Sequence, residues 1–231
     1  MKQLVLGISL REHSDFANFT VGHNNQELIA ALKKLSSQAN PAVVLLHGDA
    51  QTGRSHLLEA SCAAANEHGA STAYLPMQEL HRNNPAKLLD GLDSVDFLAI
   101  DDLEVVLGDE QWAKALFHLY NRGQQRNQRL LFSATHPPTQ LQVVLPDLQS
   151  RLSAALVYQI AALNDEERKE CLTQRAHLLG FVMSDDVANY VLSRAERSMG
   201  NLMHILHQLD QETLVHQRRL TIPFVKSVLD W

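Results

Sequence analysis

The sequence predicts an α/β fold, a parallel sheet layered between helices and followed by a small all-helical unit, and three observations carry that reading. Short continuous apolar runs alternate with helix-periodic stretches up to about residue 161. After Asn164 the runs stop and only helical patterns remain. A glycine-rich loop joins the first clear run to the helix behind it. Continuous apolar strands are the pattern of strands buried on both faces, and the helices between them supply the crossovers that parallel pairing requires.

In chain order, residues 25–35 have helical periodicity, and residues 42–47 form a β-branched apolar run that ends at Gly48. A helix is predicted from Arg54 to about Glu67, then strands at 72–75 and 95–100, a helix over 109–126, and strands at 130–133 and 156–160. Asn164 and Glu167 have capping-box spacing before a helix that Gly180 stops. Ser184 caps a helix over 186–197, Gly200-Asn201 separates it from an apolar-striped helix over 202–215, and residues 221–229 form a closing element. The organisation expected is a tail over residues 1–12, an α/β domain over 13–161 and a helical lid over 162–231.

Composition excludes several classes. With 45% apolar and 20% charged residues the chain is an ordinary soluble globule, and no run approaches the ~18 apolar residues of a membrane helix. The N-terminus carries one lysine and too short an apolar run for a signal peptide, so a cytoplasmic address is expected, with Cys62 and Cys171 reduced. A net charge of −6 gives the surface as a whole no attraction for nucleic acid, so direct DNA binding is expected to be slight. The twelve histidines are scattered, and only His204 and His207 share a helical face at close spacing, which argues against a metal centre built from them.

The chemistry concentrates at Gly48-Asp49-Ala50-Gln51-Thr52-Gly53-Arg54-Ser55, a phosphate-loop pattern lying between a predicted strand and a predicted helix, where its mechanism requires it. Glycines let the backbone turn its N–H groups inward, the helix N-terminus adds positive potential, and Ser55 offers a hydroxyl to a magnesium ion. Candidate nucleotide-binding residues here are Gly48, Gln51, Thr52, Gly53, Arg54, Ser55 and His56. Most such loops carry lysine at the place of Arg54; arginine keeps the charge and makes forked phosphate contacts, so catalysis is more exposed to the change than affinity.

Phe97-Leu98-Ala99-Ile100-Asp101-Asp102 is an apolar strand ending in two carboxylates, a Walker B pattern. Asp101 is placed to hold Mg2+ through water, and Asp102 stands where many ATPases use a longer glutamate to orient the attacking water. Residues 130–135 form another strand with a polar end, and either Ser133 or Thr135 is placed to sense the γ-phosphate.

Taken together, Phe19-Thr20-Val21-Gly22-His23-Asn24-Asn25, the phosphate loop, Ile100-Asp101-Asp102, Thr135-His136-Pro137-Pro138 and Leu148-Gln149-Ser150-Arg151-Leu152 resemble the AAA+ domain of the replication initiator DnaA over nearly the whole chain. The resemblance implies a P-loop AAA+ three-layer αβα sheet with a helical lid. It also places Val21 and Gly22 by the base and makes Arg151 an arginine finger that acts on a neighbouring subunit. On the residue alone, Arg151 is equally a surface charge. The initiator continues into a basic DNA-binding domain, whereas this sequence ends at Trp231. The tail Gln3-Leu4-Val5-Leu6-Gly7-Ile8 resembles peptides that bind the DNA polymerase sliding clamp, with Gln3, Leu4, Leu6 and Ile8 as contacts, although by itself such a run also suits a frayed terminus or an edge strand. Together with Arg219-Leu220-Thr221-Ile222-Pro223-Phe224-Val225-Lys226, these features are similar to the DnaA-like regulatory inactivators of DnaA.

That resemblance implies a nucleoside di- or triphosphate, ADP foremost, held with Mg2+ to fix the fold, with little hydrolysis in this chain's own site. The implied partners are DnaA and the DNA polymerase III beta sliding clamp, and self-association into a homo-oligomer is compatible with the family. One departure is Met203, which follows Gly200-Asn201-Leu202 where the initiator has a sensor arginine; Arg197 or Arg175 is the candidate replacement. The alternative is an autonomous DnaA-like ATPase working as a helicase or transposition loader.

Overall fold

The computed structural model describes residues 14–196, 198–216 and 219–231. The chain divides into two compact units after Ala161. In the first unit the order is α1 (Gln26–Ser37), β1 (Val43–His47), α2 (Arg54–Glu67), β2 (Thr72–Pro76), α3 (Met77–Leu80), α4 (Pro85–Leu88), β3 (Phe97–Asp101), α5 (Glu104–Leu107), α6 (Glu110–Gln125), β4 (Arg129–Ala134), α7 (Pro146–Ser153) and β5 (Leu156–Gln159). The second contains α8 (Asp165–Leu178), α9 (Asp185–Arg194), α10 (Met199–His216) and α11 (Ile222–Leu229).

All four strand pairings are parallel, in the order β2-β3-β4-β1-β5. Two-residue alternation splits each strand between the faces. Val43 and Leu45, Leu98 and Ile100, and Leu130 and Phe132 point to the layer formed by α3 to α7. Val44 and Leu46, Phe97 and Ala99, and Leu131 point to α1 and α2. The sheet's direction of growth reverses at β1, so its carboxyl end opens onto the crevice where sheets of this class bind ligands.

Local chemistry fixes the helix ends. Asp109 caps α6 by accepting from the backbone N–H groups of Gln111 and Trp112 at 2.8 and 3.0 Å. At α1 the orphan carbonyls of the last turn are met from a distance: Arg129, buried at the start of β4, donates to the oxygens of Leu35, Ser36 and Gln38 at 3.1, 2.9 and 3.1 Å.

The second unit has its own core of Leu172, Val187, Val191, Leu202, Leu206, Leu209 and Val225. Asn164 and Glu167 form the reciprocal capping box of α8, and Gly180 adopts a left-handed φ of +92° after the helix. One expectation is corrected here. Gly200-Asn201 does not interrupt the chain but lies in the first turn of α10, where the Asn201 N–H is met by the Ser198 hydroxyl at 3.3 Å. The helix before it stops earlier than 197, at Arg194, because Ala195 turns extended. Among the described residues no helix is long and apolar enough to cross a membrane.

Candidate functional site

The loop between β1 and α2 is built around two close approaches. A Cβ on Gly48 would meet the Ile160 carbonyl oxygen at 3.0 Å and the Thr52 hydroxyl at 3.1 Å. Gly53 has φ +99°, a conformation that L side chains resist, and a Cβ there would lie 2.7 Å from the Phe19 ring. Gln51 is also left-handed, with φ +64°. The Thr52 hydroxyl ties the turn by donating to the Asp49 carbonyl at 2.9 Å. Gly53 is the N-cap of α2, so the first N–H groups of a fourteen-residue helix face the loop without helical acceptors.

Arg54 does not project freely into that cradle. Its side chain is 10% exposed and clamps two motifs together: Nη1 donates to the Gly48 carbonyl at 2.9 Å, and Nη2 pairs with Asp102 Oδ1 at 2.9 Å. Glu104 stands 3.9 Å from the same guanidinium. Asp102 takes φ +53°, a left-handed conformation rare outside glycine, and this follows the change from strand to turn that sets it beside Arg54. Burial, followed by the neighbouring Asp101, raises the Asp102 carboxyl to about 6, with Glu104 adding to the rise and Arg54 opposing it.

Asp101 is 2% exposed and its oxygens are both engaged. The Tyr74 hydroxyl donates to Oδ2 at 2.8 Å, and the Ser133 hydroxyl donates to Oδ1. Ser133 also accepts from the Asp102 N–H at 2.9 Å. Of the two candidate sensors, Ser133 therefore contacts both Walker B carboxylate residues, while the backbone N–H of Thr135 donates to Glu104 Oε1 at 3.1 Å. Ser55 is partly buried in the first turn of α2. Burial and the Asp101 charge hold the Tyr74 phenol well above its usual range.

The other candidates lie around this centre. Val21 is exposed and Gly22 buried, next to Asn25, whose side-chain amide makes two 2.9 Å bonds with the backbone of Ala161. That pair fastens the start of α1 to the end of the sheet. The His56 Nε2 is 2.9 Å from the Asp15 carbonyl oxygen, and its ring lies 5.5 Å from that of Phe19. Arg151 is exposed in the last turn of α7 and makes no salt bridge among the described residues. Gln3, Leu4, Leu6 and Ile8 lie outside the described residues, as does Arg197. In the second unit Met203 packs on the core and Arg175 is half-buried on α8.

Sequence reasoning missed Tyr74 and Glu104. Tyr74 was legible as a phenol in an apolar strand, but its meeting with Asp101 depends on the β2–β3 register, in which Tyr74 pairs with Ala99 and Pro76 with Asp101.

The profile of the bacterial DnaA ATPase domain matches residues 10–159. The chain belongs to the bacterial DnaA ATPase-domain family. Its second unit matches the Hda lid domain over residues 165–229. Among solved structures, domain III of the Thermotoga maritima replication initiation protein DnaA superposes with a TM-score of 0.82 at 20% identity, covering 96% of this chain and 98% of that one. AMPPCP-bound DnaA from Aquifex aeolicus gives 0.73 at 21% identity over 89% of this chain and 67% of that one. The Thermotoga maritima RuvB Holliday junction branch migration motor gives 0.71 at 16% identity over 96% and 73%. At such identities these structures speak for the AAA+ fold alone.

For a DnaA-family domain the residues present fit a nucleotide with a divalent cation. Gly48 and Gly53 sit where side chains would crowd the loop, and Ser55 and Asp101 supply hard oxygen donors that suit Mg2+. Residues 48–55 would hold the phosphates, and Val21 and Gly22 lie just ahead of α1. The Asp101 carboxylate would take metal-bound water in exchange for one of its present donors.

Proposed function

We propose that this protein is a nucleotide-bound negative regulator of DNA replication initiation that accelerates ATP hydrolysis on DnaA. The observation that carries the reading is the contrast between two arginines: Arg54 is spent inside the molecule on Asp102, whereas Arg151 stands exposed, with no ion pair among the described residues. A carboxylate held by Arg54 is poorly disposed to orient water, so ADP or ATP bound at residues 48–55 serves to fix the domain, and hydrolysis in this site is slow. Arg151 acts in trans, presented to the γ-phosphate of ATP held by DnaA. An arginine finger brings about 10³–10⁵-fold in rate, on the order of 4–7 kcal/mol of barrier, which is enough to switch DnaA off.

The segment Gln3–Ile8 tethers the protein to the DNA polymerase III beta sliding clamp, which raises the local concentration of the pair and couples inactivation to replication. The match of the second unit to the Hda lid supports a place among DnaA regulators. The test is a reconstitution with ATP-loaded DnaA, clamp on DNA and this protein. Loss of ATP from DnaA is expected, abolished by Arg151→Ala and diminished when Gln3→Ala and Leu4→Ala remove the tether. Stimulation by the Arg151→Ala variant at the wild-type rate would refute the trans mechanism, and steady turnover without DnaA would favour a loader.

A further inference from the structure

Residues 15–22 lead into α1 and are fastened to the elements that carry the phosphate loop. The Asp15 carboxylate accepts from the Asn18 backbone N–H at 2.6 Å and from its side-chain amide at 3.1 Å, which closes a local turn. Phe16 and Phe19, three apart on that turn, both pack against the apolar layer of α1 and α2. Lys33 Nζ of α1 lies 5.7 Å from the centre of the Phe16 ring. His56 Nε2, from the first turn of α2, is 2.9 Å from the Asp15 carbonyl oxygen. At the far end of the segment the Gly22 carbonyl accepts from the Asn25 N–H at 2.9 Å, and the Asn25 side chain is bonded to Ala161.

Phe19 is the residue of this segment that reaches the loop. A Cβ on Gly53 would lie 2.7, 3.5 and 3.7 Å from Cε2, Cζ and Cδ2 of its ring, so the ring fills the place that a side chain on Gly53 would take. The His56 ring flanks it, 5.5 Å away between centres. Gly53 is left-handed and is the N-cap of α2, so its position decides where the first N–H groups of that helix point. Close-packed partners of this kind transmit displacement, because neither can shift without opening a gap or a clash.

We propose that Phe19 is a positioning residue of the nucleotide site, a wedge that couples the phosphate loop to the segment bearing Val21 and Gly22. When phosphates fix the loop, Gly53 seats the Phe19 ring. The ring in turn sets the backbone two residues on, where Val21 and Gly22 meet a base. The two halves of the site are organised together, and filling one lowers the ordering cost of the other. Phe19 acts through the backbone and needs no contact with the nucleotide.

The coupling rests on the nucleotide reading above, and its test separates the two. Inorganic pyrophosphate with Mg2+ offers the loop its phosphates without a base. Amide hydrogen exchange of the full chain is followed with pyrophosphate and with ADP, and both affinities are measured by titration calorimetry. Pyrophosphate should slow exchange in residues 48–57 and also in residues 15–22 of the wild-type chain, whereas in Phe19→Ala it should slow the loop alone. The same variant should lose about tenfold in ADP affinity and less than about threefold in pyrophosphate affinity, since the loop still holds phosphates while the base loses its prepared seat. Phe19→Leu keeps apolar bulk without the ring and guards against poor folding of the alanine variant. It should show the same split at smaller size, with ADP weakened about threefold and pyrophosphate unchanged. Losses of equal size for the two ligands would reduce Phe19 to a prop of the loop and overturn the coupling. Protection of residues 15–22 by pyrophosphate that persists in both variants, or that is missing from the wild type, would overturn it as well. A wild-type chain that binds neither ADP nor pyrophosphate would instead bring down the nucleotide reading, and the coupling with it.

Discussion

Arg54 and Arg151 carry the same guanidinium into opposite surroundings. Arg54 enters at the first turn of α2, is 10% exposed, and is held by the Gly48 carbonyl and the Asp102 carboxylate. Arg151 leaves the last turn of α7 into solvent. A buried, doubly bonded arginine fixes geometry, since releasing it strands a carboxylate in a poor dielectric. An exposed one contributes almost nothing to its own fold and keeps its five donors available to another molecule. The difference teaches that one guanidinium is committed to joining the phosphate loop to the Walker B strand while the other is open to solvent; on the proposed function the loop holds nucleotide and the catalytic arginine is directed outward.

Four substitutions break or sharpen that comparison. Arg151→Ala should remove the stimulation of DnaA-bound ATP hydrolysis, about 10³–10⁵-fold in single turnover, with thermal stability and ADP affinity unchanged. Arg54→Ala should do the reverse: it leaves Asp102 without its partner and is expected to destabilise the fold by about 3 kcal/mol in urea denaturation while weakening ADP binding. Gly53→Ala combines a left-handed backbone with a Cβ 2.7 Å from Phe19, so a loss of about 1–3 kcal/mol is expected by the same measurement. The smallest effect is one of pH. The folded Asp102 carboxyl titrates at about 6, above the ~4 of an unfolded aspartate, so between those values the folded state holds a proton that the unfolded state has lost. Stability should therefore fall as pH rises from 4 through 6 and level off above, and Asp102→Asn should lack that slope in chemical denaturation across the same range.

Much of the fold was written in periodicity. The strand before Gly48 and the helix over Arg54–Glu67 fall where apolar runs and helical spacing place them, because continuous burial on both faces leaves little room for other patterns. The short helices α3, α4 and α5 carry too few turns to show a period. Gly200-Asn201 misled because a glycine in a helix's first turn has the composition of a break while its backbone is already helical. At the site, the loop and the Walker B strand are contiguous motifs and so were legible. What was not legible depends on register and on side chains meeting from distant elements: the Arg54–Asp102 pair across 48 residues and Tyr74 on Asp101. No local spacing encodes those meetings.

The central claim is that this loop grips a nucleotide and does not consume it. The direct measurement mixes the full chain, without DnaA, with radiolabelled ATP and Mg2+, removes free nucleotide, and follows the bound label over hours. The account predicts stoichiometric retention with conversion to ADP far slower than about 1 s⁻¹, at the low end of enzymatic turnover. A chain that retains no label, or one that releases ADP in steady multiple turnovers, would contradict it.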